Sequence, residues 1–135
     1  MSMAAHSSTE PCGRVSNGRK WEIEVPNLDG RIAVITGAGS GIGRGIAMVL
    51  AELGAHIVVV DIDLDAAETV TGEIRSLGGR AIAYQADVTD RESTDALVSA
   101  AISGMDHVDI LVNNAGVGGA PGWWQRSSPS PQDWE

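Results

Sequence analysis

The sequence has no phenylalanine, one cysteine, one tyrosine and one lysine among its 135 residues. With aromatics at 4%, a core has to be filled by valine, isoleucine, leucine and alanine, which suits strands buried on both faces. Cys12 stands alone in a Ser/Gly-rich leader, which excludes a disulfide framework and a cysteine-based metal set. Basic residues are also scarce: nine Lys and Arg against eighteen Asp and Glu leave a formal charge of -9. They form no patch, so a nucleic-acid or anionic-membrane partner is excluded, and an anionic ligand has to be held by backbone geometry. No apolar run reaches membrane-spanning length, and residues 1–20 lack the apolar segment of a secretory signal. The expected location is cytoplasmic.

What the chain does have is a glycine-rich stretch, Thr36-Gly37-Ala38-Gly39-Ser40-Gly41-Ile42-Gly43, between the apolar run Ile32-Ala33-Val34-Ile35 and a helical pattern. Glycines at 37, 41 and 43 let the backbone leave a strand sharply, approach a ligand closely and start a helix packed on that strand. The unpaired amides and positive dipole end of such a helix attract a phosphate without any basic side chain.

Around this turn the elements fall in order. Residues 1–27 read as a leader, disordered to about residue 20 and then an extended lead-in at Trp21–Val25; residues 28–135 read as one domain. Strands are expected over about 31–36, 56–61, 80–85 and 108–112, and helices over about 41–53 and 63–77, with a third opened by a Thr89/Glu92 capping box and facing inward through Leu97, Val98, Ala101 and Ile102. Gly54 is the expected C-terminal cap of the first helix. Alternating strands and helices predict an α/β, Rossmann-like parallel sheet with helices on both faces, here incomplete, with about four strands in the order 3-2-1-4. A ligand then belongs at the carboxyl ends of the strands, where the glycine turn, Asp61, Asp87 and Asn113 all fall. Tyr84 reads as a packed strand residue and His107 as a solvated loop residue.

Asp61 follows Gly43 by 18 residues, near the spacing of about 20 at which an acid reaches the adenosine ribose of a dinucleotide. A carboxylate there accepts from both ribose hydroxyls and repels a 2′-phosphate. Ser40 and Ile62 are not basic, so NAD is favoured over NADP.

The glycines follow GxxxGxG and cannot be read as GxGxxG in any register. TGAGSGIG, Asp61 at the end of the second strand, Asp87-Val88 after the third and Asn113-Asn114-Ala115-Gly116 after the fourth together resemble the short-chain dehydrogenase/reductase family. That resemblance implies hydride transfer between a small alcohol or carbonyl substrate and nicotinamide. It further implies that Gly37, Ser40, Gly41, Ile42 and Gly43 form the pyrophosphate site, that Asp61 holds the ribose, and that Asp87 and Val88 flank the adenine. Asn113 would stabilise the central strand and contact the cofactor region, with Ala115 and Gly116 giving room to the nicotinamide side.

The family's chemistry uses a Tyr-x-x-x-Lys pair and an orienting Ser. The only Tyr is Tyr84 and the only Lys is Lys20, so the pair is absent and no catalytic residue is assigned. Ser130-Pro131-Gln132-Asp133 opens a helix that only Trp134 and Glu135 follow, and the chain therefore reads as a truncated front half. For that half an exposed strand edge and association are expected; for a full-length form, a homo-oligomer. Trp123 and Trp124 cover a substrate pocket or simply pack. Two other readings share the glycine turn: a non-catalytic NAD-binding or interaction module, and a methyl-transfer site, against which the glycine spacing and NNAG speak.

Overall fold

The computed structural model describes residues 14–15 and 23–116. Cys12, Trp123, Trp124 and the helix start at Ser130 lie outside them. Two short strands come first, β1 (Arg14–Val15) and β2 (Ile23–Glu24), paired antiparallel. The expected leader thus holds one short pairing, in which extended backbone groups satisfy each other.

The domain is built on four parallel strands, β3 (Ile32–Thr36), β4 (His56–Asp61), β5 (Arg80–Gln85) and β6 (Ile110–Val112), in the spatial order β5-β4-β3-β6. This is the expected 3-2-1-4 order. Three helices connect them: α1 (Gly41–Glu52), α2 (Leu64–Ser76) and α3 (Arg91–Met105). In register, Ala33 stands opposite Ile57 on one side and Ile110 on the other. The uninterrupted run Ile57–Val60 is buried throughout, because β4 is covered on both faces.

Side chains alternate between two cores. Ala33, Ile35, Ile57, Val59 and Ala81 pack with Ala47 of α1 and with Ala67, Val70 and Ile74 of α2. Ile32, Val34, Val58 and Val60 point the other way, onto Leu97 and Ala101 of α3. Of the four α3 residues expected to face inward, only Leu97 and Ala101 do so; Val98 is 55% and Ile102 54% exposed. Leu97 and Ala101 are one line of a helix surface at i, i+4, and Val98 and Ile102 form the next line, turned about 100° away.

Helix ends follow local chemistry. Gly54, at φ 101°, takes the left-handed residue after α1. The Asp63 side chain accepts from the Ala66 amide at 3.2 Å and caps α2. Helix α3 departs from expectation: its cap is Asp90, which accepts from the Ser93 amide at 3.0 Å. The Thr89 hydroxyl is unavailable for capping because it donates to Asp87 Oδ1 at 2.7 Å. Strand β6 begins two residues later than expected, since Asp109 closes the sheet by other means: its amide donates to the Ile32 carbonyl at 3.0 Å and its carboxylate accepts from the Ile32 amide at 2.8 Å. No helix among the described residues is long and apolar enough to cross a membrane.

Candidate functional site

An open cleft of about 630 Å³ runs along the carboxyl ends of the strands. One wall is the turn between β3 and α1. Gly37 and Gly41 have φ of 65° and 56°, so the turn needs residues that enter the left-handed region without strain. A Cβ on Gly37 would stand 2.8 Å from Ala115 Cα, whereas one on Gly41 would meet nothing within 4 Å. Gly37 is glycine because the chain after β6 passes against it; Gly41 leaves bare backbone facing open space.

The start of α1 differs from the other two helices. Ser40 is the N-cap residue in extended conformation, its side chain makes no capping bond, and the first turn has no acid. Both α2 and α3 are closed by an aspartate and carry another acid in the first turn. The amides of Gly41 and Ile42, both lining the cleft, therefore lack helix acceptors at the positive end of a helix dipole. Gly43 is buried beneath this surface and does not line it. A Cβ there would collide with the Gly37 carbonyl oxygen and stand 2.5 Å from Asn114 Nδ2. Its absence lets α1 sit against the turn.

Asp61 ends β4 on the same cleft. Its Oδ2 accepts from the Gly39 amide at 2.9 Å and its Oδ1 from the Asp63 amide at 3.0 Å. The carboxylate is thus anchored on both oxygens before any ligand arrives. Gly39, which the spacing argument passed over, is the turn's contribution to this anchor.

The opposite wall comes from the segment after β6. Here Asn114, to which no role was assigned, is the asparagine that reaches the turn. Asn114 lines the cleft, and its Nδ2 donates to the carbonyls of Thr36 at 3.1 Å and Gly37 at 3.3 Å. Asn113 is exposed and is not among the residues lining the cleft. Extended backbone sends consecutive side chains to opposite sides, so only one of the pair can reach the turn. Thr36 completes the joint: its buried hydroxyl accepts from the amides of Asn114 at 3.2 Å and Ala115 at 3.0 Å. Ala115 and Gly116 continue the wall.

Asp87 and Val88 lie on the remaining side. The Asp87 carboxyl is held below the ordinary carboxylate range by the Thr89 hydroxyl and then the Thr89 amide, both donating to it. Its backbone amide donates to Ser93 Oγ at 2.9 Å, fixing the segment to α3. Among the described residues, those lining the cleft include Asp61 and Asp87 and no Lys, Arg or His. No group of three or more possible metal ligands occurs among the described residues.

His107, expected to be merely solvated, has a carboxylate partner, with Nε2 3.0 Å from Asp109 Oδ2. The pair precedes β6, at the amino ends of the strands, the far edge from the cleft. Tyr84 packs against the core on the α3 face, as expected of a strand residue.

A family model for short chain dehydrogenases matches residues 31–135. The chain belongs to the short-chain dehydrogenase family. Over 92 residues it is 54% identical to the 7alpha-hydroxysteroid dehydrogenase of Escherichia coli K12, covering 68% of this chain and 36% of that protein. It is 44% identical over 96 residues to a cyclohexanol dehydrogenase of Acinetobacter sp. strain SE19, covering 71% of this chain and 38% of that one. Among solved structures, a 7 alpha-hydroxysteroid dehydrogenase complexed with NADH and 7-oxo glycochenodeoxycholic acid aligns at a TM-score of 0.67, with 54% identity over 69% of this chain and 36% of its own. A metagenomic short-chain oxidoreductase in complex with NADP aligns at 0.70, with 35% identity over 80% of this chain and 48% of its own. This short-chain dehydrogenase chain thus spans little more than a third of the curated relatives it matches.

Thr36, Gly39 and Asn114 are site residues that spacing alone did not single out. Thr36 and Gly39 were inside the quoted motif, but their partners, Ala115 and Asp61, are 79 and 22 residues away.

Proposed function

We propose that this chain is the cofactor-binding portion of a nicotinamide-dependent oxidoreductase, acting between an alcohol or carbonyl substrate and nicotinamide, with NAD preferred over NADP. The observation that carries the reading is the uncapped start of α1 opening onto the same cleft as the anchored Asp61 carboxylate. The cradle suits a pyrophosphate: Gly41 leaves unfilled space at its Cβ position, and the amides of Gly41 and Ile42 supply donors without a basic side chain. Asp61 would accept from the adenosine ribose, Asp87 and Val88 would flank the adenine, and Ala115 and Gly116 would leave room at the nicotinamide side. When bound, the nicotinamide accepts or gives the hydride.

The preference for NAD is supported by charge. A 2′-phosphate beside Asp61 would meet a fixed carboxylate with no cationic residue among the described residues that line the cleft, and Asp63 and Asp65 already occupy the start of α2. The proton side of the chemistry has no evident carrier in this sequence. Tyr84 is committed to the core on the α3 face and Lys20 precedes the sheet, so no Tyr-x-x-x-Lys pair exists. We therefore expect the 135-residue chain to bind NAD and to show no alcohol oxidation by itself.

Thermal denaturation of the purified chain with increasing NAD tests the reading. A cofactor at 100 times its Kd stabilises the folded state by about 2.7 kcal/mol, which appears as a raised Tm. Gly41→Asp, which sets a negative charge and a strained φ into the cradle, should abolish the shift. A Tm insensitive to millimolar NAD in the unaltered chain would overturn the proposal.

A further inference from the structure

Resting on the cofactor reading above, we propose that Gly39 is a positioning residue that sets the discrimination between NAD and NADP by holding the Asp61 carboxylate in place. Unlike Gly37 and Gly41, Gly39 does not have a left-handed φ, so that strain is not what demands glycine there. Space is what demands glycine. A Cβ would stand 2.8 Å from Asp61 Oδ2, 2.9 Å from Asp61 Cγ and 2.8 Å from Ala66 Cβ.

The corner that fills this space is fixed from several sides. Asp61 Oδ2 takes the Gly39 amide, Oδ1 takes the Asp63 amide, and the Asp63 carboxylate in turn caps α2 through the Ala66 amide. Behind them the Ala86 amide donates to the Asp61 carbonyl at 3.1 Å, and Gln85 Nε2 donates to the Ile62 carbonyl at 3.0 Å. Of the atoms a Cβ would strike, only the carboxylate hangs on rotatable bonds and can yield by giving up its amide; relief of the Ala66 contact needs a small shift of the capped helix α2 or of the turn. A side chain at position 39 therefore drives the carboxylate off the Gly39 amide.

That displacement acts in opposite directions on the two cofactors. An ionised carboxylate offers about four lone-pair sites; with one taken on each oxygen, one on each remains for the two hydroxyls of a ribose. Moving it removes a paired acceptor from NAD and a repelling charge from the 2′-phosphate of NADP. A glycine needed only for the shape of the turn would affect both equally, since both cofactors share the pyrophosphate donors at Gly41 and Ile42.

Titration of the full chain and its Gly39→Ala variant with NAD and with NADP, followed by calorimetry, tests this. The variant should bind NAD roughly tenfold or more weakly, the loss of charge-assisted hydrogen bonds, with NADP binding unchanged or tighter. In an Asp61→Ala background the same substitution should leave the NAD to NADP ratio unmoved. Equal weakening of both cofactors, an unchanged ratio, or a full effect in the Asp61→Ala background would overturn the proposal. Circular dichroism covers failure to fold: if Gly39→Ala unfolds the chain and Gly39→Ala/Asp61→Ala restores it, the carboxylate contact is the cause; if neither folds, the proposal falls. No NAD binding by the unaltered chain would overturn the cofactor reading and this inference together, whereas NAD binding with an unmoved ratio overturns the inference alone.

Discussion

Thr36 and Asn114, 78 residues apart, are joined by two hydrogen bonds, both donated by Asn114: its amide donates to Thr36 Oγ1 at 3.2 Å and its Nδ2 to the Thr36 carbonyl at 3.1 Å. The two walls of the cleft are therefore one unit. The segment after β6 cannot move away from the glycine turn without breaking bonds to a hydroxyl that is itself buried.

Replacing that hydroxyl is the first prediction. Thr36→Val keeps the shape, takes the acceptor from the Ala115 amide and leaves the Asn114 amide with the Val112 carbonyl alone, which should cost about 1–3 kcal/mol in urea unfolding. Thr36→Ser retains the acceptor and should recover most of the loss. A Val variant as stable as the original would show that these bonds contribute nothing net.

Glycines in this chain separate by what surrounds them. Gly43→Ala would press a methyl into the Gly37 carbonyl and the Asn114 amide group, and should destabilise by about 1–3 kcal/mol, as overpacking does. Gly72→Ala, inside α2 with nothing within 4 Å of the new Cβ, should instead stabilise by about 0.5–1 kcal/mol. Thermal melts of the two variants should move in opposite directions from the parent.

Acid should weaken the amino edge of the sheet. The Asp109 carboxyl is held below its ordinary value chiefly by the Ile32 amide, with Arg31 and His107 assisting and partial desolvation opposing. In the unfolded chain the group has a pKa of about 3.9. Because the folded value is the lower one, the contribution is complete above that pH and disappears as pH falls through the folded value. Asp109→Asn should be less stable than the parent near neutrality, and the difference should shrink below about pH 4. A gap that stays constant down to acid unfolding would rule out this linkage.

The bare face beside α3 should make the chain associate. Val98, Ile102 and Leu111 are 54% exposed or more, and Leu111 shares the α3 face of the sheet with its register partner Val34. Apolar patches of this kind promote association. Ile102→Lys together with Leu111→Lys should lower the sedimentation coefficient at high concentration; no change would place the contact elsewhere.

The elements and their order were legible in the sequence because each rests on local physics. The continuous run His56–Asp61 had to be an interior strand, the helix after Gly41 followed from its spacing, and the parallel order followed from the alternation. Errors fell where two residues competed for one local role. Thr89 and Asp90 both suit a cap, and Asp87 settled it by taking the Thr89 hydroxyl. Val98 and Ile102 fit an apolar face, yet burial depends on what lies across from them.

The sequence by itself determined a glycine turn between the first sheet strand and the first helix, an acid at the end of the second sheet strand and a parallel α/β domain, since glycine placement, strand length and helix period are properties of neighbouring residues. Only the tertiary structure decided that Asn114 rather than Asn113 closes the turn, that Thr36 joins the two walls, and that Gly39 is glycine to make room for Asp61. Those are contacts between residues 22 to 79 apart, and no local pattern encodes which of two adjacent side chains will point at a distant backbone.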